Sequence, residues 1–275
     1  MFYVYVFQLL VVAMLLAWAT SIYLNGLGYV TLHALAMAGI GAYVFAVLCA
    51  KGWHPILAAC LALMASTGTG LVCAEAIRPL RGDGLTLATF GIGVFVFELF
   101  RILPVTNGVY GISGIPAIGT GFAWVGTATI AVLASGMALV WGWKTSKACV
   151  LLAGLRCDEW AALSVGVRIR LHQLCSGVLA GLLAGAAGIL LASASGFIEP
   201  RMFQPLLLLI PLAASILAGG RVVFGVMLAA ALMVGTQQSI RFVGGSPVFA
   251  GPVSEILIAC LVGIALITMR TRGRF

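Results

Sequence analysis

Long apolar runs alternate with short polar breaks along the whole chain. A helix needs about 20 apolar residues to cross the hydrocarbon core of a bilayer. By that ruler the sequence predicts nine spans, at about 3–24, 28–49, 55–77, 85–103, 121–142, 173–195, 203–219, 222–243 and 252–269. Glycine, proline and charge mark the breaks, as at Asn25-Gly26, Lys51 to Pro55, Arg78 to Gly84 and Pro104 to Thr120. Short strands of alternating polarity, the mark of a lipid-facing barrel, are absent. The expected fold class is all-α: one polytopic transmembrane helix bundle over residues 1–275, with 104–120 able to form a re-entrant loop and move the count between eight and ten.

Composition narrows the class further. Hydrophobic residues make up 63% and charged residues 8%, against roughly 25% charged in soluble domains. A soluble enzyme and a disordered chain are both excluded. The 35 glycines suit close helix–helix approach in lipid. A net charge of +8 would suggest nucleic acid in a soluble protein, but here the basic residues lie mostly in short loops. With 143–172 placed in the cytoplasm, loops on that side hold eleven of the fifteen Lys and Arg and the other side holds four. The positive-inside rule then sets the N-terminus outside and the C-terminus cytoplasmic in a cell (inner) membrane. The opening residues lack a basic region, so 3–24 reads as a retained helix. The seven cysteines form no CxxC pair and read as small buried hydrophobes.

Catalytic chemistry finds no footing. There is no GxxxxGK[ST] phosphate loop, and His33, His54 and His172 have no metal-ligand spacing. No nucleophile–base set stands out. The reading is a transport subunit, not an enzyme, without its own nucleotide site.

Three polar features carry the functional candidates. The stretch 143–172 is the only long polar interruption. Within it Asp158 can begin a short helix, Glu159 sits in the positive first turn, Ala161 and Ala162 give a small face, and Gly166 is placed to end it. Such a helix can dock in a partner's groove or be a solvated connector. Arg81 and Asp83 flank Gly82 at the start of the fourth span, as a gate contact or as a simple cap. Glu98 and Arg101 lie on one face near the outer end of that span, as pathway charges or as a pair. After it, Thr106 to Pro116 is a broken, mildly polar stretch in which Asn107, Gly108 and Ser113 stand out. It either lines a cavity or loops over the surface.

The stretch Glu159-Trp160-Ala161-Ala162 with Gly166 resembles the EAA loop of ABC importer permeases. Gly39-Ile40-Gly41-Ala42-Tyr43, Leu80-Arg81-Gly82-Asp83, Asn107-Gly108 with Gly111 to Pro116, and Gly196 to Pro200 with Gly219-Gly220 follow in the order of the branched-chain amino acid permease family, in its LivM-type form. Glu98 and Arg101 stand four residues after the places where that family carries an acid and an arginine, about one helical turn. The resemblance implies a permease subunit importing branched-chain or related hydrophobic amino acids, with urea or short-chain amides as the alternative. It implies a second, homologous permease, two ATP-binding subunits docking on the EAA-like helix and an extracytoplasmic solute-binding protein. No cofactor would bind this chain; ATP and Mg would sit on the ATPase subunits. Its surroundings would be the lipid bilayer, with no nucleic acid. From a different class, an ion-coupled carrier acting alone is the competing reading, motivated by Glu98 and the broken stretch at Asn107.

Overall fold

The computed structural model describes residues 2–80, 82–116, 122–146, 169–218 and 223–242. They contain eight α-helices: α1 (Phe2–Ser21), α2 (Ala34–Ala50), α3 (Pro55–Ile77), α4 (Gly82–Ile102), α5 (Phe122–Thr145), α6 (Ile169–Ser195), α7 (Leu209–Leu217) and α8 (Phe224–Phe242). Two short strands, β1 (Ile112–Ser113) and β2 (Phe197–Ile198), complete the set. Five segments are long and apolar enough to cross a membrane: Tyr3–Leu27, Pro55–Ile77, Gly82–Ile102, Val125–Thr145 and Arg170–Ser195. The polytopic all-α expectation therefore holds. The ninth expected span, 252–269, lies outside the described residues, as do Arg81, Asp158, Glu159, Ala161, Ala162 and Gly166.

Prolines set several borders. The residue before a proline is pushed out of the helical region. His54, Leu103, Glu199 and Gln204 are accordingly extended, with ψ of 132°, 127°, 155° and 130°. Each stands just ahead of a helical segment whose first residue is a proline, where the missing N–H costs nothing.

The expectation of simple continuous spans fails in two places. The first long helix widens into a π-helical turn, Ile22–Leu27, and stops at left-handed Gly28 (φ 78°), whose N–H donates to the Tyr23 carbonyl. Residues 28–33 are irregular, so the expected second span, 28–49, is helical only from Ala34. Similarly, α6 stops at left-handed Gly196 (φ 64°). In place of a helix over 203–219, two 3₁₀ turns, Pro200–Phe203 and Pro205–Leu208, lead into the nine-residue α7. Two helices of similar length thus each end on a left-handed glycine and pass through an elbow before the next helix begins.

An elbow inside a membrane bundle must find partners for its backbone. α4 supplies them for the first elbow. The Leu32 N–H donates to Thr89 Oγ1 at 3.1 Å, and Thr86 Oγ1 donates to the Val30 carbonyl at 3.1 Å. Thr89 is fully buried. Thr89→Val keeps the shape and leaves that N–H orphaned, a cost of about 1–3 kcal/mol. The variant should unfold at a lower temperature than the parent in the same detergent, and an unchanged midpoint would show that the bond contributes nothing.

The core centres on α6, which packs against α1, α2 and α3. Small residues make the approach close. A Cβ on Gly181 would lie 2.7 Å from the Ser66 carbonyl oxygen, and one on Gly41 would lie 2.9 Å from the Gly185 Cα. The Ser66 hydroxyl lies 3.0 Å from the Met37 carbonyl oxygen and 2.8 Å from that of Gly181, which ties α2, α3 and α6 at one point. The indole N–H of buried Trp18 donates to the Val223 carbonyl at 3.1 Å and fixes α1 to the start of α8.

Candidate functional site

The broken stretch after α4 folds back on the end of that helix. Pro104 to Thr106 make a 3₁₀ turn, and the Thr106 hydroxyl lies 2.7 Å from both the Phe100 and Leu103 carbonyl oxygens. Asn107 follows in the left-handed region (φ 58°), the only described non-glycine residue there, and its side-chain amide donates to the Gly111 carbonyl at 3.1 Å. Asparagine accepts this conformation because its short side chain bonds locally.

Pairing then carries the stretch across the molecule. β1 runs antiparallel to β2, with Ile112 opposite Ile198 and Ser113 opposite Phe197, and the Ile115 N–H donates to the Gly196 carbonyl. Gly111 is required at the joint: its φ is 71°, and a Cβ there would overlap the Ile198 carbonyl oxygen. The second elbow and the broken stretch therefore form one unit at the end of the bundle where α2 finishes.

Between that unit and α2 lies an open cavity of about 560 Å³, lined by Val47, Ala50, Lys51, Pro104, Val105, Asn107, Gly111, Ile112 and Ser113. Its size falls in the range of small-molecule sites. One helical turn before Val47, Tyr43 packs on Phe100 at 4.4 Å between ring centroids, and Phe203 closes the group at 6.1 Å from Tyr43 and 6.4 Å from Phe100. Apolar walls, an amide, a hydroxyl and one ammonium at the rim can hold a small solute carrying both apolar and polar parts. No nucleophile–base pair is formed among these residues.

The structure brings Asn107 and Ser113 to this cavity, with Gly108 beside them at φ 57°. It does not bring Glu98 and Arg101 there. Arg101 Nη1 lies 3.0 Å from Glu98 Oε1, both side chains are nearly half exposed, and the guanidinium sits over the Phe97 ring at 5.8 Å. Asp83 lies in the first turn of α4 and is exposed. Exposed pairs contribute about 0–1 kcal/mol. Glu98→Gln should therefore leave the melting temperature and solute uptake close to the parent's, and a collapse of uptake at normal protein level would return Glu98 to the pathway.

Sequence reasoning missed Lys51, Val47 and Tyr43 as site residues, and it quoted Glu199 only as part of a motif. A Cβ on Gly111 would lie 3.1 Å from the Glu199 Cα, so this acid stands beside the joint. At the opposite end of the bundle a second missed feature appears. Glu75 Oε1 accepts from Arg78 at 2.8 Å and lies 3.0 Å from Arg170, which links the end of α3 to the first turn of α6.

The chain matches no curated protein and no solved structure. A family model described as the branched-chain amino acid transport system / permease component matches residues 2–267. With its succession of long apolar helices, the chain is a multi-pass membrane protein and belongs to the family of branched-chain amino acid transport permease components.

Proposed function

We propose that the chain is one membrane subunit of an ATP-binding-cassette importer for branched-chain or related hydrophobic amino acids. The observation that carries this reading is the family match over nearly the whole chain, joined to the polar, EAA-like stretch 154–170 in the one long break between apolar runs. The chain has no phosphate loop, so the energy comes from two ATP-binding subunits that hold ATP and Mg. Asp158, Glu159, Ala161, Ala162 and Gly166 form the surface on which they dock. A second, homologous permease completes the membrane part, and a solute-binding protein delivers cargo at the outer face. The cavity at Asn107 and Ser113 then receives the solute on that outer side, with Lys51 at its rim. Asp83, in the first turn of α4, and Arg81, two residues before it in sequence, would then stand on the cytoplasmic side, where a gate would close.

Reconstitution tests the reading. Liposomes holding this chain, its partner permease and the two ATPase subunits should take up leucine or valine from their binding protein when ATP is supplied. Uptake by this chain alone, driven by an ion gradient, would overturn the proposal in favour of a stand-alone carrier. Uptake of urea or acetamide without leucine would leave the subunit reading and replace the solute.

Orientation follows from the eleven-to-four division of basic residues. A reporter fused after Phe275 should read cytoplasmic and one inserted within 244–251 should read external. The opposite pair of readings would place 154–170 outside and remove its docking role.

A further inference from the structure

Lys51 is the one charged residue among those that line the cavity beyond α2. The backbone holds it on a fixed cap. The Gly52 N–H donates to the Cys49 carbonyl at 2.9 Å, and the Trp53 N–H donates to the Leu48 carbonyl at 3.1 Å. Gly52 itself is left-handed (φ 82°). Those two bonds and that glycine make a Schellman cap, which satisfies the last carbonyls of a helix. Lys51 therefore ends α2 at a set position on the cavity wall, and it is exposed. No carboxylate among the described residues pairs with its ammonium. The ion pairs found there join Glu98 to Arg101, and Glu75 to Arg78 and Arg170. The opposite wall is held as firmly. The Asn107 side-chain N–H is engaged by the Gly111 carbonyl, which leaves the amide oxygen as an acceptor. Ser113 lies on β1, opposite Phe197 of β2, and is exposed. Val47, Val105 and Ile112 add apolar surface.

We propose that Lys51 sets the specificity of this cavity: its ammonium takes the solute's carboxylate, so that the site selects branched acids over the corresponding amides. The proposal rests on the solute entering at this cavity. Two features decide the class of ligand. The first is a lone positive charge in an otherwise uncharged lining, which attracts an anion and repels a cation. A carboxylate on an ammonium makes a charge-assisted hydrogen bond, about twice as strong as the neutral bond that an amide oxygen makes. The second is the pair of oxygen acceptors, Asn107 and Ser113, on the wall opposite Lys51. They suit the ammonium of a zwitterion, while the apolar residues take an uncharged side chain. A second carboxylate or a basic side chain on the solute finds no opposite charge among these residues. A helix C-terminus favours a cation whether or not a ligand is near. The preference between acid and amide, rather than stability, is therefore the property that separates a ligand-choosing lysine from one that only complements the dipole.

Saturation-transfer NMR on the full chain in lipid nanodiscs tests this, with isovalerate and isovaleramide as probes and empty nanodiscs as the blank. The two probes share one branched carbon skeleton and differ in charge. The parent and Lys51→Arg should bind isovalerate roughly tenfold more tightly than isovaleramide, the order expected of one charge-assisted bond. Leucine should displace both probes. Lys51→Met should lose the preference while its affinity for isovaleramide stays at the parent's value. Equal binding of the two probes by the parent, a preference that survives in Lys51→Met, or no binding of either probe would overturn the proposal. Loss of both probes in Lys51→Met would overturn it too, because the lysine would then hold the cavity open instead of choosing its ligand. The measurement uses this chain without ATPase subunits. Failure of ATP-driven uptake in the reconstituted complex would thus remove the importer reading and leave the binding result to stand or fall by itself.

Discussion

Gly188→Val and Gly70→Val should abolish the folded protein, while Gly68→Ala, two residues from Gly70 on the same helix, should leave it intact. The contrast follows from what each added Cβ meets. At Gly188 it would overlap the Ala38 carbonyl oxygen and lie 2.8 Å from the Ala38 carbonyl carbon. At Gly70 it would overlap the Gly177 carbonyl oxygen and lie 3.1 Å from the Gly181 Cα. Those atoms are backbone and cannot rotate aside. Relief requires α2 or α3 to part from α6, and the contacts that α6 makes with both would go with it. Overpacking that side chains can absorb costs about 1–3 kcal/mol. A clash that only separating helices relieves exceeds that range and takes most of the roughly 5–15 kcal/mol by which a typical protein is stable. At Gly68 nothing lies within 4 Å of the added atom, and alanine improves helix propensity by about 1 kcal/mol. Monodisperse yield in mild detergent and the melting midpoint decide the matter. A Gly70→Val protein as stable as the parent would mean that α3 and α6 are not packed this closely.

The same close packing explains which parts of the fold can be read from sequence. α3 matches its expected bounds because His54-Pro55 and Arg78-Pro79 are local punctuation, acting on the residues where they stand. The elbow at 28–33 was not legible in the same way. Hydropathy reports what a segment can bury, and an irregular segment inside a bundle must be as apolar as a helix. The clues were Gly28 and the polar pair Thr31 and His33, but what allows the backbone to leave the helix there is Thr86 and Thr89 on α4, more than fifty residues away. The second elbow gave more warning, because Pro200 and Pro205 forbid a continuous helix. The site divides likewise. Asn107 and Ser113 stand out because glycine and polarity break an apolar run. Lys51 and Tyr43 do not, since folding alone brings the end of α2 beside them. The pairing of Ile112 with Ile198 joins segments more than eighty residues apart, and no local pattern encodes it.

The second large effect concerns transport without loss of fold. Under the proposed function, Glu159→Lys and Gly166→Val should each reach the membrane at parental levels and each lose ATPase association and ATP-driven uptake. Neither position lies in an apolar run, so insertion has no reason to fail. Glu159 sits where a docking helix begins, and reversing its charge forfeits about 0.3–1 kcal/mol of helix-dipole stabilisation. Setting the wrong sign against a complementary surface adds several kcal/mol, enough to dissociate a partner held at micromolar affinity, where the whole binding energy is about 8 kcal/mol. Gly166 stands where the chain would turn away from the docked helix, a place that favours the left-handed region and resists a β-branched residue. The helix that comes next gives the docked segment mechanical reach. α6 begins at Ile169, Arg170 in its first turn meets Glu75 at the end of α3, and α6 then runs against α2 and α3 with no space for a methyl group at Gly188 or Gly70. A push at 154–168 would thus arrive on a helix that cannot slip past its neighbours and must carry them. Co-purification of the ATPase subunits and solute taken up per ATP hydrolysed measure the two halves of the effect. Normal values of both in the two variants would leave 154–170 as a connector and would require the ATPases to dock elsewhere.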